Sequence, residues 1–170
     1  MIKKIAVTGP ESTGKSTLSA ALAAFFQTAW VPEYAREYLE NLDRNYEEKD
    51  LLEIAKGQLA LQEELEKSSD QYLICDTDLL VIKIWSEHKY GRCHPWILKK
   101  LDEINYDLYI LPYIDIPWQE DPLREHPDLR EYFFNKYKEE LITRKVNFIE
   151  VKGALDQRVK ESIKAIKALT

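Results

Sequence analysis

A single α/β domain, with a five-stranded parallel sheet in the order 2-3-1-4-5 and helices on both faces, is the fold this sequence predicts. Three observations predict it. Apolar strand-like runs alternate with segments of helical period, each run ends in a polar cluster, and no flexible linker or internal repeat divides the 170 residues. Such alternation calls for parallel strands joined by crossover helices, with ligands gathering beyond the carboxyl ends of the strands. A chain of this size can bury roughly 68–70% of the surface its unfolded form exposes, enough for one real core.

Ile2 to Thr8 is the first strand, and Leu18, Ala21, Leu22, Phe25 and Phe26 recur at helical spacing from Ser16 to Phe26. Ala29 to Val31 is a short second strand ended by Pro32, and Tyr34 to Glu40 starts a helix. From Tyr46 to Ser69 an amphipathic helix is marked by Leu51, Leu52, Ile54, Ala55, Leu59, Leu61 and Leu65, with Gly57 and Gln58 expected to interrupt it. Gln71 to Cys75 is a buried third strand running into Asp76-Thr77-Asp78, and Leu79 to Glu87 resumes a helical pattern. After a turn at Tyr90-Gly91-Arg92 come a helix from Pro95 to Ile104 and a fourth strand, Leu108 to Leu111, stopped by Pro112. Residues 115–130 carry three prolines and mixed charge and are expected to be an irregular lid. A helix from Leu129 to Thr143, a fifth strand from Val146 to Val151 and a helix from Leu155 to Leu169 complete the series.

Gly9-Pro10-Glu11-Ser12-Thr13-Gly14-Lys15-Ser16 fits G-x-x-x-x-G-K-[ST] between a strand and a helix, the phosphate-binding loop of P-loop NTPases. Its glycines let the backbone wrap phosphate oxygens, Lys15 offers a point charge at the β- and γ-phosphates, and the Ser16 hydroxyl suits Mg²⁺. Thr17 belongs to the helix start that aims free N–H groups at the same anion. ATP and Mg²⁺ are therefore the expected cofactors.

Asp76 ends an apolar strand, where such proteins place the acid that helps hold Mg²⁺. Asp78 can reach substrate or metal, and either aspartate also suits the N-cap of the next helix. Glu33, past the second strand, faces the γ-phosphate across the cleft in this strand order and can accept a hydroxyl proton as base or bind substrate. Arg36, one turn on, can bind an acidic group or pair with Glu33, Glu37 or Glu40. Arg124 and Arg130 can supply catalytic positive charge from a closing lid, or pair with Glu120, Asp121, Glu125 and Asp128. Gly153 can let the backbone approach the adenine or simply admit the last helix. His94-Pro95 orders a loop or contacts substrate.

The balance of 24 basic and 30 acidic residues, net charge −6, provides no basic face for nucleic acid. Cys75 and Cys93 lack metal-ligand spacing and read as reduced thiols. No apolar run approaches a membrane span, and Met1 leads straight into a strand without a secretory signal, so a cytoplasmic location is expected. The oligomeric state is not encoded legibly.

The chain resembles, from end to end, the ribosylnicotinamide kinase module at the carboxyl end of a bacterial regulator of NAD biosynthesis. The resemblance rests on Gly9 to Ser16, on Glu33-Tyr34-Ala35-Arg36-Glu37-Tyr38, on Gly57 and on Asp76-Thr77-Asp78. Gly91-Arg92-Cys93-His94-Pro95 and Asp121-Pro122-Leu123-Arg124 extend it. It implies a nucleoside-kinase-like domain that transfers the γ-phosphoryl of ATP to the 5′-hydroxyl of nicotinamide riboside, with Lys15, Ser16, Asp76, Glu33, Arg36 and Arg124 carrying the reaction and Tyr34 and His94 near the acceptor. Ala35 replaces a glycine of the family, and Pro32 stands where an aromatic residue is expected. A kinase for another nucleoside, or a regulatory ATPase acting on a protein partner, are the alternatives.

Overall fold

The computed structural model describes residues 1–169. Five strands, β1 (Lys3–Val7), β2 (Trp30–Val31), β3 (Tyr72–Asp76), β4 (Leu108–Pro112) and β5 (Phe148–Val151), form one parallel sheet in the order β2-β3-β1-β4-β5. All registered pairs are parallel, with Val7 opposite Asp76 and Val7 opposite Ile110. The fold class and strand order expected from sequence are those found.

Helices α1 (Lys15–Phe26), α2 (Tyr34–Glu40), α3 (Glu48–Glu66), α4 (Leu79–Tyr90), α5 (Pro95–Glu103), α6 (Arg130–Thr143) and α7 (Leu155–Lys167) make the crossovers. Alternate residues of a strand face opposite sides of its sheet, so a sheet covered twice needs apolar residues at every position. Accordingly Ile5, Val7, Ile74, Leu108 and Ile110 pack with Leu18, Leu22 and Ile166 of α1 and α7. Ala6, Leu73, Cys75, Tyr109 and Leu111 pack on the other side with Leu51, Ile54, Leu80, Phe134 and Leu141. Every residue of β3 is buried. No helix among the described residues is long and apolar enough to cross a membrane.

Two boundaries differ from expectation in ways that matter. Pro112 lies within β4 rather than beyond it, because as the last strand residue it needs no ladder donor there. Helix α3 runs through Gly57 and Gln58 without a break. Glycine is unfavourable in a helix by about 1 kcal/mol, but here its missing side chain makes room for the Tyr34 ring: a Cβ on Gly57 would stand 2.0 Å from Tyr34 Cε1. Gln58, next to it, uses its amide to accept from Tyr34 N at 2.9 Å and to donate to the Pro32 carbonyl at 3.2 Å. The pair that reads as a helix break is the mount for the segment carrying Glu33.

Gly57→Ala is expected to destabilise the protein by about 1–3 kcal/mol in urea unfolding, the overpacking cost of a clash with Tyr34. In a Tyr34→Ala background the same substitution should become neutral or stabilising, as helix propensity dictates. Equal effects in both backgrounds would exclude the Tyr34 contact as the reason for the glycine.

Candidate active site

The loop from Gly9 to Gly14 leaves β1 and turns into α1 through backbone that side chains rarely adopt: φ is 142° at Gly9, 57° at Ser12 and 78° at Gly14. Turns of this kind let neighbouring N–H groups converge on one concavity. The loop is held from within, since Thr13 Oγ1 and Lys15 Nζ both donate to the Pro10 carbonyl at 2.9 Å. All of the residues expected to cradle phosphate, Gly9, Glu11, Ser12, Thr13, Gly14, Lys15, Ser16 and Thr17, line one cleft of about 330 Å³.

Below the loop, Ser16 Oγ donates to Asp76 Oδ2 at 2.5 Å. The other carboxylate oxygen, Asp76 Oδ1, is buried without a hydrogen-bond partner. Burial pushes the Asp76 carboxyl up to about 6, against the lowering effects of Ser16 and Lys15, with Glu33 adding to the rise. Thr77, with φ 74°, turns the chain so that Asp78 points back into the sheet. Asp78 is fully buried, accepts from Thr8 Oγ1 at 2.7 Å, and is likewise raised to about 6 by burial. It occupies the N-cap position of α4, but its side chain does not line the cleft.

Across from the loop, Glu33 and Arg36 line the same cleft. Glu33 is the N-cap residue of α2, in extended conformation, and makes no capping bond with its own side chain. Arg36 pairs with Asp121 of the lid at 3.1 Å and more distantly with Glu40 at 3.8 Å. Beyond them lie Leu39, Val81, Ile84, Trp85, His88, Phe133 and Tyr137, an apolar and aromatic end suited to a flat ring.

Residues 113–126 contain no helix or strand, the irregularity that the proline content suggested, and several of them line the cleft. Gln119 N donates to Ser12 Oγ at 2.9 Å, and the amides of Glu125 and His126 donate to the Glu11 carboxylate at 3.2–3.3 Å. Burial raises the Glu11 carboxyl, partly offset by those two amides. On the far side, Tyr46 donates to Glu125, while Lys89 pairs with Glu125 at 3.6 Å. Arg124 lines the cleft and donates to the Gln119 carbonyl at 2.5 Å. Arg130 instead turns to the loop, donating to the carbonyls of Ser12 at 3.1 Å and Ile116 at 2.7 Å. Burial, then the neighbouring Arg124 and Arg158, pull its guanidinium below the usual value.

Three expected contacts fall outside the cleft. His94 is the N-cap of α5, its Nδ1 accepting from Trp96 N at 3.1 Å on the surface. Tyr34 lies against Gly57 and Tyr38 and is not part of the cleft lining. Gly153 does not line the cleft; its amide is committed to Asp115 Oδ2 at 2.7 Å and its φ of 87° serves the turn into α7. Conversely, Trp85 and His88 of α4 form part of the wall. The spacing of Val81, Ile84, Trp85 and His88 along one helical face was the available signal. Arg158, also on the wall, had no local signal at all.

This sheet order, with the phosphate loop after β1 and a lid over it, defines a P-loop domain of the nucleoside-kinase architecture. The chain belongs to the AAA domain family, which it matches over residues 4–158. It is 30% identical to the trifunctional NAD biosynthesis/regulator protein NadR of Salmonella typhimurium over 99% of its own length and 43% of that protein. Identity to the NadR of Escherichia coli is also 30%, over 88% of this chain and 38% of that one. The chain thus spans about two fifths of the curated relatives it matches. A NadR protein crystallised in complex with NR superposes with a TM-score of 0.81 at 23% identity, covering 99% of this chain and 52% of that one. Thymidylate kinase from Ehrlichia chaffeensis superposes with a TM-score of 0.68 at 14% identity over 96% of this chain and 98% of that one. These likenesses bear out the family resemblance read from the motifs.

Glu11→Ala is expected to free the lid, raising the rate of tryptic cleavage after Arg124 by roughly 5–10-fold, as loss of bonds to a carboxylate worth about 1.5 kcal/mol would allow. An unchanged cleavage rate would show that the lid is seated by other contacts.

Proposed function

We propose that this domain, acting as one unit over residues 1–170, is an ATP-dependent nucleoside kinase whose acceptor is nicotinamide riboside. The observation that carries the reading is that the phosphate loop, Glu33 and residues of the lid line one cleft. A donor on the loop and a hydroxyl beside Glu33 would meet in line. The NadR relatives, one of them crystallised in complex with NR, favour this acceptor.

The 5′-hydroxyl oxygen attacks the γ-phosphorus of ATP while the bond to the β-phosphate oxygen breaks, and the hydroxyl proton passes to the Glu33 carboxylate. Charge on the transferred phosphoryl is held by the loop amides, by Lys15 and by Arg124. Lys15 has to leave the Pro10 carbonyl to do so. Arg36 orients the acceptor beside Glu33, and Trp85, His88 and Phe133 enclose its ring. Ser16 Oγ and the partnerless Asp76 Oδ1 are hard oxygen donors at the foot of the loop and would be the residues to hold Mg²⁺. When bound, the ion neutralises charge on the β- and γ-phosphates. The lid excludes water, so transfer to the hydroxyl outruns hydrolysis. With Cys75 and Cys93 both free, a reducing cytoplasm suits the protein.

The test is incubation of the protein with ATP, Mg²⁺ and a panel of nucleosides, with products read by mass spectrometry. Nicotinamide riboside should give nicotinamide mononucleotide fastest. Product from no nucleoside, under conditions where ATP binds and is slowly hydrolysed, would favour a regulatory ATPase. Glu33→Gln should lower kcat by about 10²–10⁴, the range for a lost general base, while ATP affinity stays within about twofold. Equal losses in both would remove Glu33 from proton transfer.

A further inference from the structure

We infer that Arg158 and Arg130 are positioning residues that set the phosphate loop from behind, by holding the carbonyl side of two successive peptide units. The inference rests on the nucleotide-binding half of the reading above. Arg158, on α7, is 2% exposed, and four donated bonds account for its guanidinium. Nη1 reaches the Thr13 carbonyl at 2.9 Å, Nε reaches the Gly153 carbonyl at 2.8 Å, and Nη2 reaches the Tyr113 carbonyl at 3.0 Å and Asp115 Oδ1. Arg130 takes the Ser12 carbonyl at 3.1 Å.

A trans peptide is planar, with its C=O and N–H pointing in opposite directions. Drawing the Ser12 and Thr13 carbonyls back toward two arginines therefore turns the N–H groups of Thr13 and Gly14 the other way, toward the cleft that both residues line. Those amides are the ones an anion needs. A buried arginine with its fork filled by main-chain oxygens and one carboxylate is costly to assemble, and a plain core would be served as well by an apolar side chain. What the arginine adds is direction, together with positive charge behind a site for a polyanion.

Arg158 also joins three segments. The loop, the root of the lid at Tyr113 and Asp115, and the turn at Gly153 all converge on it, with Asp115 closing the set by accepting from Gly153 N. The root of the lid and the phosphate cradle are thereby joined through one side chain.

Binding of ADP and of adenosine to wild type, Arg158→Lys, Arg158→Met and Asp115→Asn tests this by calorimetry, with circular dichroism as the check on folding. Arg158→Lys keeps the charge but loses the fork. It should bind ADP about 10–100-fold more weakly, as loss of one or two charge-assisted bonds implies, and adenosine within about threefold of wild type. Asp115→Asn, which leaves the arginine in place, should show a smaller loss of the same selectivity. In ¹⁵N-labelled protein the Gly14 amide resonance should shift strongly on ADP addition in wild type and less in both variants. Wild-type ADP affinity in folded Arg158→Lys, or an equal loss for adenosine, would overturn the inference while leaving the kinase reading intact. Absence of ADP binding by wild type would overturn both.

Discussion

The register between β1 and β3 is the constraint on which the rest depends. With Val7 opposite Asp76, the strand that ends in the phosphate loop and the strand that ends in an acid finish at the same level. Ser16, the second residue of α1, then lies with its Oγ 2.5 Å from Asp76 Oδ2. A slip of one residue would turn Asp76 to the other face of the sheet and bury it in apolar packing. The apolar content of both strand faces prevents the slip, because every position on β3 is buried and each side chain has a partner layer. The core thus does more than stabilise: it fixes where a hydroxyl and a carboxylate meet.

Much of this arrangement was legible along the chain, and for a physical reason. The phosphate loop is contiguous, so its chemistry can be read without knowing the fold. Asp76 and Glu33 follow apolar runs directly, and in a parallel sheet strand ends converge. What was not legible is whatever depends on contact between distant segments. Gly57 reads as a helix interruption on propensity alone, and the Tyr34 ring that requires it lies more than twenty residues earlier. His94 sits in a motif that suggests substrate, but its local geometry spends the imidazole on the Trp96 amide. Arg158 has acceptors on three segments, none of them near it in a recognisable pattern except Gly153.

Asp78 is the other instructive case. A carboxylate two residues from Asp76 looks equally available, yet the left-handed turn at Thr77 sends the two side chains to different surroundings. One stands under the phosphate loop beside Ser16; the other is sealed against Thr8. Alternation along an extended backbone would have placed both on one side. A single unusual dihedral, in a β-branched residue for which it is a genuine outlier, separates a candidate ligand from an interior anchor.

The lid is fastened to the phosphate loop through its own main chain, by the amides of residues 119, 125 and 126. Such ties do not care which side chain sits at those three positions, so a change of side chain there leaves these bonds in place. The one substitution they forbid is to a residue lacking an N–H. Pro117, Pro122 and Pro127 lie before, between and after the tied positions, and none falls upon them. Proline is therefore expected to be kept out of these three places whatever else changes there, a constraint set by backbone chemistry alone.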